Sequence, residues 1–343
     1  MNAPVVELPS ERLKDIHASD LSAIWLRFHL LAVTPLQLSA YKGSTFHGAF
    51  GWALRRLYKP LYDQLYEPAS TMPPSDETAR MALPKPFVLV PPLGTQCEYP
   101  PGSRLTCDLL LIGPACYSLT ACLCAFEHLG QEGLGAGRGR FEIQRVERLV
   151  PGAQPHLLLE QGATAVMHPG PPTTSQEVTR GWEDRDIDQV TLTFDTRLRL
   201  KKDNRLLHTC PEFATFLERV IARINLLSGA YRGGPMLEHG AKQVLLEQAK
   251  QVTIRSHDLV WDDWARYSGR QKEWMQFGGL LGAVTYEGEL RPFMPILALG
   301  EWLHMGGKTS FGLGRYRIIL EENYSSKPSV NDETVGQVLL NRN

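Results

Sequence analysis

The sequence predicts an α+β fold made of two successive βαββαβ units, and three observations carry that prediction. First, alternation of apolar and polar residues, the mark of a half-buried strand, occurs near the start of each half. It sets Ile24, Leu26, Phe28 and Leu30 against Trp25, Arg27 and His29, and later Val190, Leu192 and Phe194 against Thr191, Thr193 and Asp195. Second, each of these strands is followed by a segment with apolar residues at helical spacing. Third, residues 151–186, with five prolines and four glycines, separate the two rounds. A chain of 343 residues that is 43% hydrophobic can fill two cores.

In the first unit the strand pattern covers Ile24–Leu38. Gly43-Ser44-Thr45 then offers an N-cap, with Ser44 as the capping side chain, and a helix runs to about Lys59, where Pro60 ends or kinks it. Phe46, Phe50, Ala53, Leu54 and Leu57 form its apolar stripe. Residues 73–86 read as a loop, Phe87–Val90 and Thr106–Gly113 as strands, and Tyr117–Leu129 as a helix. A glycine-rich run over 130–140 and a strand over Phe141–Val150 complete the unit. The second unit repeats the order: strand Val190–Leu200, helix Pro211–Ser228, strands Thr253–Val260 and Gly278–Tyr286, helix Phe293–His304, strand Tyr316–Leu320. This is the order of a ferredoxin-like, RRM-like domain. The expected boundaries are an N-terminal domain over 1–150, a connector over 151–186, a C-terminal domain over 187–325 and a tail over 326–343.

A net charge of −1 excludes a protein that binds polyanions over its whole surface. A nucleic-acid site must come from local clustering of the 36 lysines and arginines. Three groups are candidates: Arg138 with Arg140, Arg197 with Arg199, Lys201 and Lys202, and Lys308 with Arg315 and Arg317. Alternation along the strand is expected to put Arg197, Arg199 and Lys201 on one side. The six cysteines form no CxxC pair and no zinc-ligand spacing, so reduced thiols, no metal and no cofactor are expected. The start lacks a charged-then-apolar leader, and no apolar stretch reaches the ~20 residues of a membrane helix. A cytoplasmic protein without a membrane partner is the expectation.

Between the last helix and the last strand lies Gly306-Gly307-Lys308-Thr309-Ser310-Phe311-Gly312-Leu313-Gly314-Arg315. Four glycines allow positive φ and close backbone approach, and exposed amides in such a loop can cradle phosphates. Lys308 and Arg315 add positive charge, and Phe311 can stack on a base or fill core. A P-loop is excluded: the first glycine of its pattern falls on Trp302, and this loop runs from helix to strand. Paired catalytic carboxylates of a polymerase palm are also excluded, since Asp262-Asp263 stands isolated.

Two such units with a GGKTSFGLGRY loop before the final strand resemble the RAMP proteins of CRISPR systems. The segment from Tyr41 through Gly43, His47, Gly48, Gly51 and Arg55 is similar to the first-helix region of their precursor-RNA processing endoribonucleases. The resemblance implies cleavage of repeat transcripts that leaves a 2′,3′-cyclic phosphate and a 5′-hydroxyl. In that family a tyrosine, a histidine and a lysine commonly share the work, and Tyr41 and His47 match that pattern best here. The candidate lysine, Lys42, precedes the histidine, where the family's lysine is often on the far side. The chemistry needs no metal: the RNA's own 2′-hydroxyl attacks, and the enzyme moves two protons and offsets phosphorane charge. His47 suits the acid–base role, at the margin of the apolar stripe and, if Ser44 caps, in the first turn, where free amides favour phosphate. Lys42, Arg55 or Arg56 can hold phosphate charge, and Tyr41 can orient or donate a proton. His304 and His29 stand in reserve.

The expected RNA-binding residues are Gly306, Gly307, Lys308, Thr309, Ser310, Gly312, Gly314, Arg315, Arg55, Arg138, Arg140, Arg199 and Lys201. Trp261, Trp264, Trp274 and Phe277 are candidate base stackers beside a hairpin repeat. The expected partners are CRISPR repeat RNA and other CRISPR effector subunits. The other reading is a RAMP subunit that binds guide RNA in an effector complex without cutting. A helix start buried under another element favours that second reading.

Overall fold

The computed structural model describes residues 21–68, 83–163, 165–182, 185–232, 234, 236–268 and 273–320. The tail and most of the 73–86 loop lie outside these residues, as does the side chain of Trp274.

Both units form. In the N-terminal one, strand β1 (Ser22–Ala32) is followed by helix α1 (Gly43–Leu57), strands β2 (Phe87–Val90) and β3 (Arg104–Ile112), helix α2 (Leu119–Glu132) and strand β4 (Phe141–Leu149). The antiparallel sheet has the order β2-β3-β1-β4, extended at its edge by β5 (His156–Glu160). The C-terminal unit runs β6 (Gln189–Leu198), α3 (Phe213–Tyr231), α4 (His239–Ala249), β7 (Thr253–His257), β8 (Val260–Asp262), β9 (Gly279–Glu287), α5 (Met294–Leu303) and β10 (Tyr316–Ile319). Its sheet order is β7-β9-β6-β10, with β8 also on β9. In each sheet the first strand sits between the third and the fourth. That is the arrangement expected for tandem ferredoxin-like domains.

The alternation in β1 splits its residues between two environments. Ile24, Leu26, Phe28 and Leu30 face α1 and α2, where Phe28 stacks on Phe126 with centroids 4.1 Å apart. On the opposite face, Ala23 joins Val88 and Leu110 in a cluster that also holds Val190, Phe216 and Leu299 of the second unit. The two domains therefore share one core at that end of the sheet. Farther along this face the residues are charged: Arg27 pairs with Asp108 at 2.8 Å and His29 with Glu147 at 2.7 Å.

Several local expectations are corrected. Lys42, not Ser44, caps α1, without a side-chain cap bond, and Ser44 is buried within the helix. His47 thus stands beyond the free amides of the first turn. Leu57, expected on the inner stripe, is exposed where the helix ends. The segment 151–186 contains β5, a two-residue strand on β1 and a short helix, Ser175–Thr179, whose capping box joins Thr174 and Glu177. No helix among the described residues is long and apolar enough to cross a membrane.

Candidate functional site

The glycine loop and the start of α1, some 260 residues apart in sequence, meet in space. Tyr41 Oη donates to the carbonyl of Phe311 at 2.6 Å. The Phe311 ring lies on the His47 imidazole, centroids 3.8 Å apart and planes 14° from parallel. Phe87 and Tyr66 close other sides of the imidazole at 5.6 and 4.8 Å. Tyr66 Oη donates to the backbone carbonyl of His47 at 2.6 Å.

Glycine makes this docking possible at two positions. A Cβ on Gly312, whose φ is +84°, would lie 2.7 Å from the carbonyl oxygen of Leu89. On Gly314, at φ +74°, it would lie 1.7 Å from the carbonyl oxygen of Met305. The loop belongs to the second domain in sequence but is seated against β2 of the first.

The site candidates divide by burial. His47 is 7% exposed and Tyr41 8%. Burial pushes the Tyr41 phenol well above its usual range, against the opposing charge of Arg197 beside its ring. A phenol so placed anchors the loop and is a poorer proton donor than expected. Lys42 departs from its expected role as a phosphate clamp. It is 1% exposed, its ammonium donates to the carbonyls of Ala40 and Gly94 at 3.2 and 2.9 Å, and burial lowers its pKa.

Arg199 departs as well. The strand ends at Leu198, so the alternation that would keep Arg199 with Arg197 stops. Its guanidinium is buried and donates to the carbonyl of Gly278. The peptide oxygen of Arg199 receives the Gly307 amide at 2.8 Å, so this residue shapes the loop from inside. Arg315 bridges the domains, 3.5 Å from both Asp108 and Asp195. Thr309 and Ser310 are buried. Gly306 is half-buried and Gly307 exposed. Lys308 is half-buried, with its ammonium 4.0 Å from the centre of the Phe277 ring. Arg55, Arg138, Arg140 and Lys201 are exposed, Arg55 over the Tyr62 ring at 5.7 Å.

Of the aromatic candidates, Phe277 is fully buried, Trp264 packs edge-on to Tyr41 at 4.8 Å, and Trp261 stacks on His208 at 3.7 Å. Asp262 forms an ion pair with Arg197. Among the described residues there is no group of three or more His, Cys, Asp or Glu able to hold a metal ion.

His304 is fully buried, with Nδ1 3.3 Å from the carbonyl of Leu313. Burial, helped by the nearby Arg315 charge, lowers its pKa to about 3. That removes it as an acid–base candidate and makes it a stability determinant. Between pH 6.5 and about 3 the unfolded ring takes a proton that the folded ring refuses. The contribution is therefore complete above pH 6.5 and is lost toward pH 3, by up to about 1.4 kcal/mol per pH unit. Urea denaturation at pH 7 and pH 5 should show this loss, and His304→Phe should flatten it.

Sequence reasoning missed the carboxylate partners. Asp108 and Glu147 hold Arg27 and His29, while Asp195 holds Arg317 at 2.9 Å. A lone aspartate inside the apolar run Leu105–Ile112 was the available signal, because a buried charge requires a partner.

Comparison with known proteins now bears on this geometry. Residues 192–316 match the family model of the CRISPR-associated endoribonuclease Cas6, a span that takes in the whole glycine loop. The second half of this chain thus resembles the CRISPR-associated Cas6 endoribonucleases. Residues 21–171 match a second model, the AF_1859 N-terminal domain. No curated protein matches the chain. Among solved structures, a Cas6 product complex shares 17% identity, with a TM-score of 0.57 over 87% of this chain and 100% of the other. Thermus thermophilus Cas6 shares 15%, with a TM-score of 0.54 over 87% and 99%. A partial Cas6-RT-Cas1–Cas2 complex shares 14%, with a TM-score of 0.59 over 89% of this chain and 47% of that one. These likenesses agree on the tandem ferredoxin-like fold.

Proposed function

We propose that this chain is a Cas6-type endoribonuclease that cuts CRISPR precursor RNA within its repeats without a metal ion, leaving 2′,3′-cyclic phosphate and 5′-hydroxyl ends. The observation that carries this reading is the convergence of the glycine loop on the α1 start, with Phe311 stacked on His47. RNA entering here displaces Phe311, and a base takes its place against the imidazole. His47 then removes the 2′-hydroxyl proton. The 2′-oxygen bonds to phosphorus, the bond from phosphorus to the 5′-oxygen breaks, and the departing oxygen takes up a proton. Lys308 offsets charge on the phosphorane. Tyr41 acts through its bond to Phe311, holding the loop in register. Arg55, Arg138, Arg140 and Lys201, all exposed, are placed to track phosphates. The domain limits proposed are 1–150 and 187–325, the two ferredoxin-like repeats, with repeat RNA as the main partner in the cytoplasm. The likeness to a Cas6-RT-Cas1–Cas2 complex supports further CRISPR proteins as partners.

One observation favours the guide-binding reading without cutting: the helix start is buried, with His47 at 7% and Lys42 at 1% exposure. Labelled repeat RNA incubated with the protein in EDTA separates the two. Site-specific cutting with cyclic-phosphate ends is the expected result. Tight binding without cutting leaves the guide-binding subunit, and cutting that vanishes in EDTA overturns the metal-free mechanism.

A further inference from the structure

Asp108 is the one charged residue between Leu105 and Ile112 of β3, and it is 3% exposed. Arg27, its partner across the sheet on β1, donates to both carboxylate oxygens at 2.8 and 2.9 Å. On its other side Asp108 is in register with Val90 of β2, whose Cα a Cβ on Gly312 would approach to 3.0 Å. The oxygen of Asp108 that receives Arg27 Nη2 also lies 3.5 Å from Arg315 Nη1, so an ion pair crosses the domain boundary. Two guanidiniums thus share one buried carboxylate.

Arg315 ends the glycine loop, and its backbone is fixed in its own domain. Its amide donates to Thr196 Oγ1 at 2.8 Å, and its carbonyl accepts the Asp195 amide at 3.0 Å. The rest of the loop is tied to the same domain. The Gly307 amide donates to the Arg199 carbonyl at 2.8 Å and the Gly314 amide to the Arg197 carbonyl at 3.1 Å. The loop is therefore carried with the second domain, and its place over His47 follows from how that domain sits on the first. Apolar packing around Ala23, Val88 and Leu110 resists separation but has no direction of its own. A buried ion pair contributes little net stability once desolvation is counted, so its effect is sought in geometry.

We infer that Asp108 is a positioning residue: through Arg315 it sets the register of the second domain on the first, and with it the places of Phe311 and Lys308 relative to His47. The consequence for cutting rests on the processing reading, in which Lys308 stands at the phosphate. There a displacement of about 1 Å can cost on the order of 10²-fold in rate.

The first measurement uses the full-length protein without RNA. With histidine carbons labelled, the Phe311 ring, 3.8 Å from the imidazole, displaces the His47 ring-proton resonances, which His47→Ala identifies by their loss. Asp108→Asn keeps the side-chain shape and removes the charge. Arg315→Gln breaks the same link from the other domain and leaves the Arg27–Asp108 pair intact, so it carries the test if Asp108→Asn does not fold. Both are expected to move the His47 resonances in one direction, toward those of Phe311→Ala. The double variant should move them no further than the larger single change, as two ends of one link imply. Single-turnover cleavage at saturating protein should fall roughly tenfold or more in Asp108→Asn, with RNA affinity within about threefold of wild type and an unchanged melting temperature. His47 resonances unmoved in Arg315→Gln would overturn the inference, as would shifts that add in the double variant. Resonances that move in a protein that never cuts sink the nuclease reading alone. Wild-type cutting and unmoved resonances in both variants sink the positioning alone.

Discussion

His47→Ala lowers single-turnover cleavage of repeat RNA by roughly 10²- to 10⁴-fold, the range for removal of a positioned acid–base group, while RNA binding persists. The variant also removes the stack on Phe311, an aromatic contact of about 0.5–1.5 kcal/mol, so its melting curve must be measured beside its rate. Phe311→Ala separates structure from chemistry. It loses the same stack but uncovers the imidazole, so it keeps its rate where His47→Ala does not. Equal loss in both variants would mean that the stack, and not the imidazole's proton chemistry, is what matters. Full activity in His47→Ala would move the acid–base role to another residue. His29, half-exposed and bonded to Glu147, is then the first to test.

The second large effect is on stability. Gly314→Ala places a Cβ 1.7 Å from the carbonyl oxygen of Met305, and its φ of +74° adds left-handed strain of about 1–2 kcal/mol. Neither neighbour can yield cheaply. Met305 and Gly314 are joined by a backbone hydrogen bond of 3.0 Å, and the Gly314 amide is bonded to Arg197 at 3.1 Å. The expected loss is several kcal/mol, in the range reserved for severe backbone conflict. Gly307→Ala is the control. Its nearest contact is 3.7 Å, so it should unfold close to the wild-type denaturant midpoint. Equal stability of the two variants would mean that the loop repacks freely.

The alternating strands were legible because period-two patterning survives even when a strand is short. The helix His239–Ala249 was not, since it buries only Leu245 and Ala249 and carries little apolar periodicity. The edge strand β5 hid within a segment whose prolines and glycines read as connector. At the site, the glycine loop and the Tyr41–His47 segment could each be recognised alone. Their contact is tertiary, and no local pattern encodes it. Lys42 and Arg199 misled for a common reason: cations are nearly always exposed, so a sequence gives no warning when carbonyl groups hold one inside.

The seating of the second domain's glycine loop on the first domain's β2 strand and helix start bears on how such a protein can change over generations. A residue altered in Phe87–Val90 is felt by the loop, and one altered in the loop is felt by His47. Chimeras that join the first half of one homologue to the second half of another therefore inherit a mismatched clasp. A change on one side of this seam therefore calls for a matching change on the other.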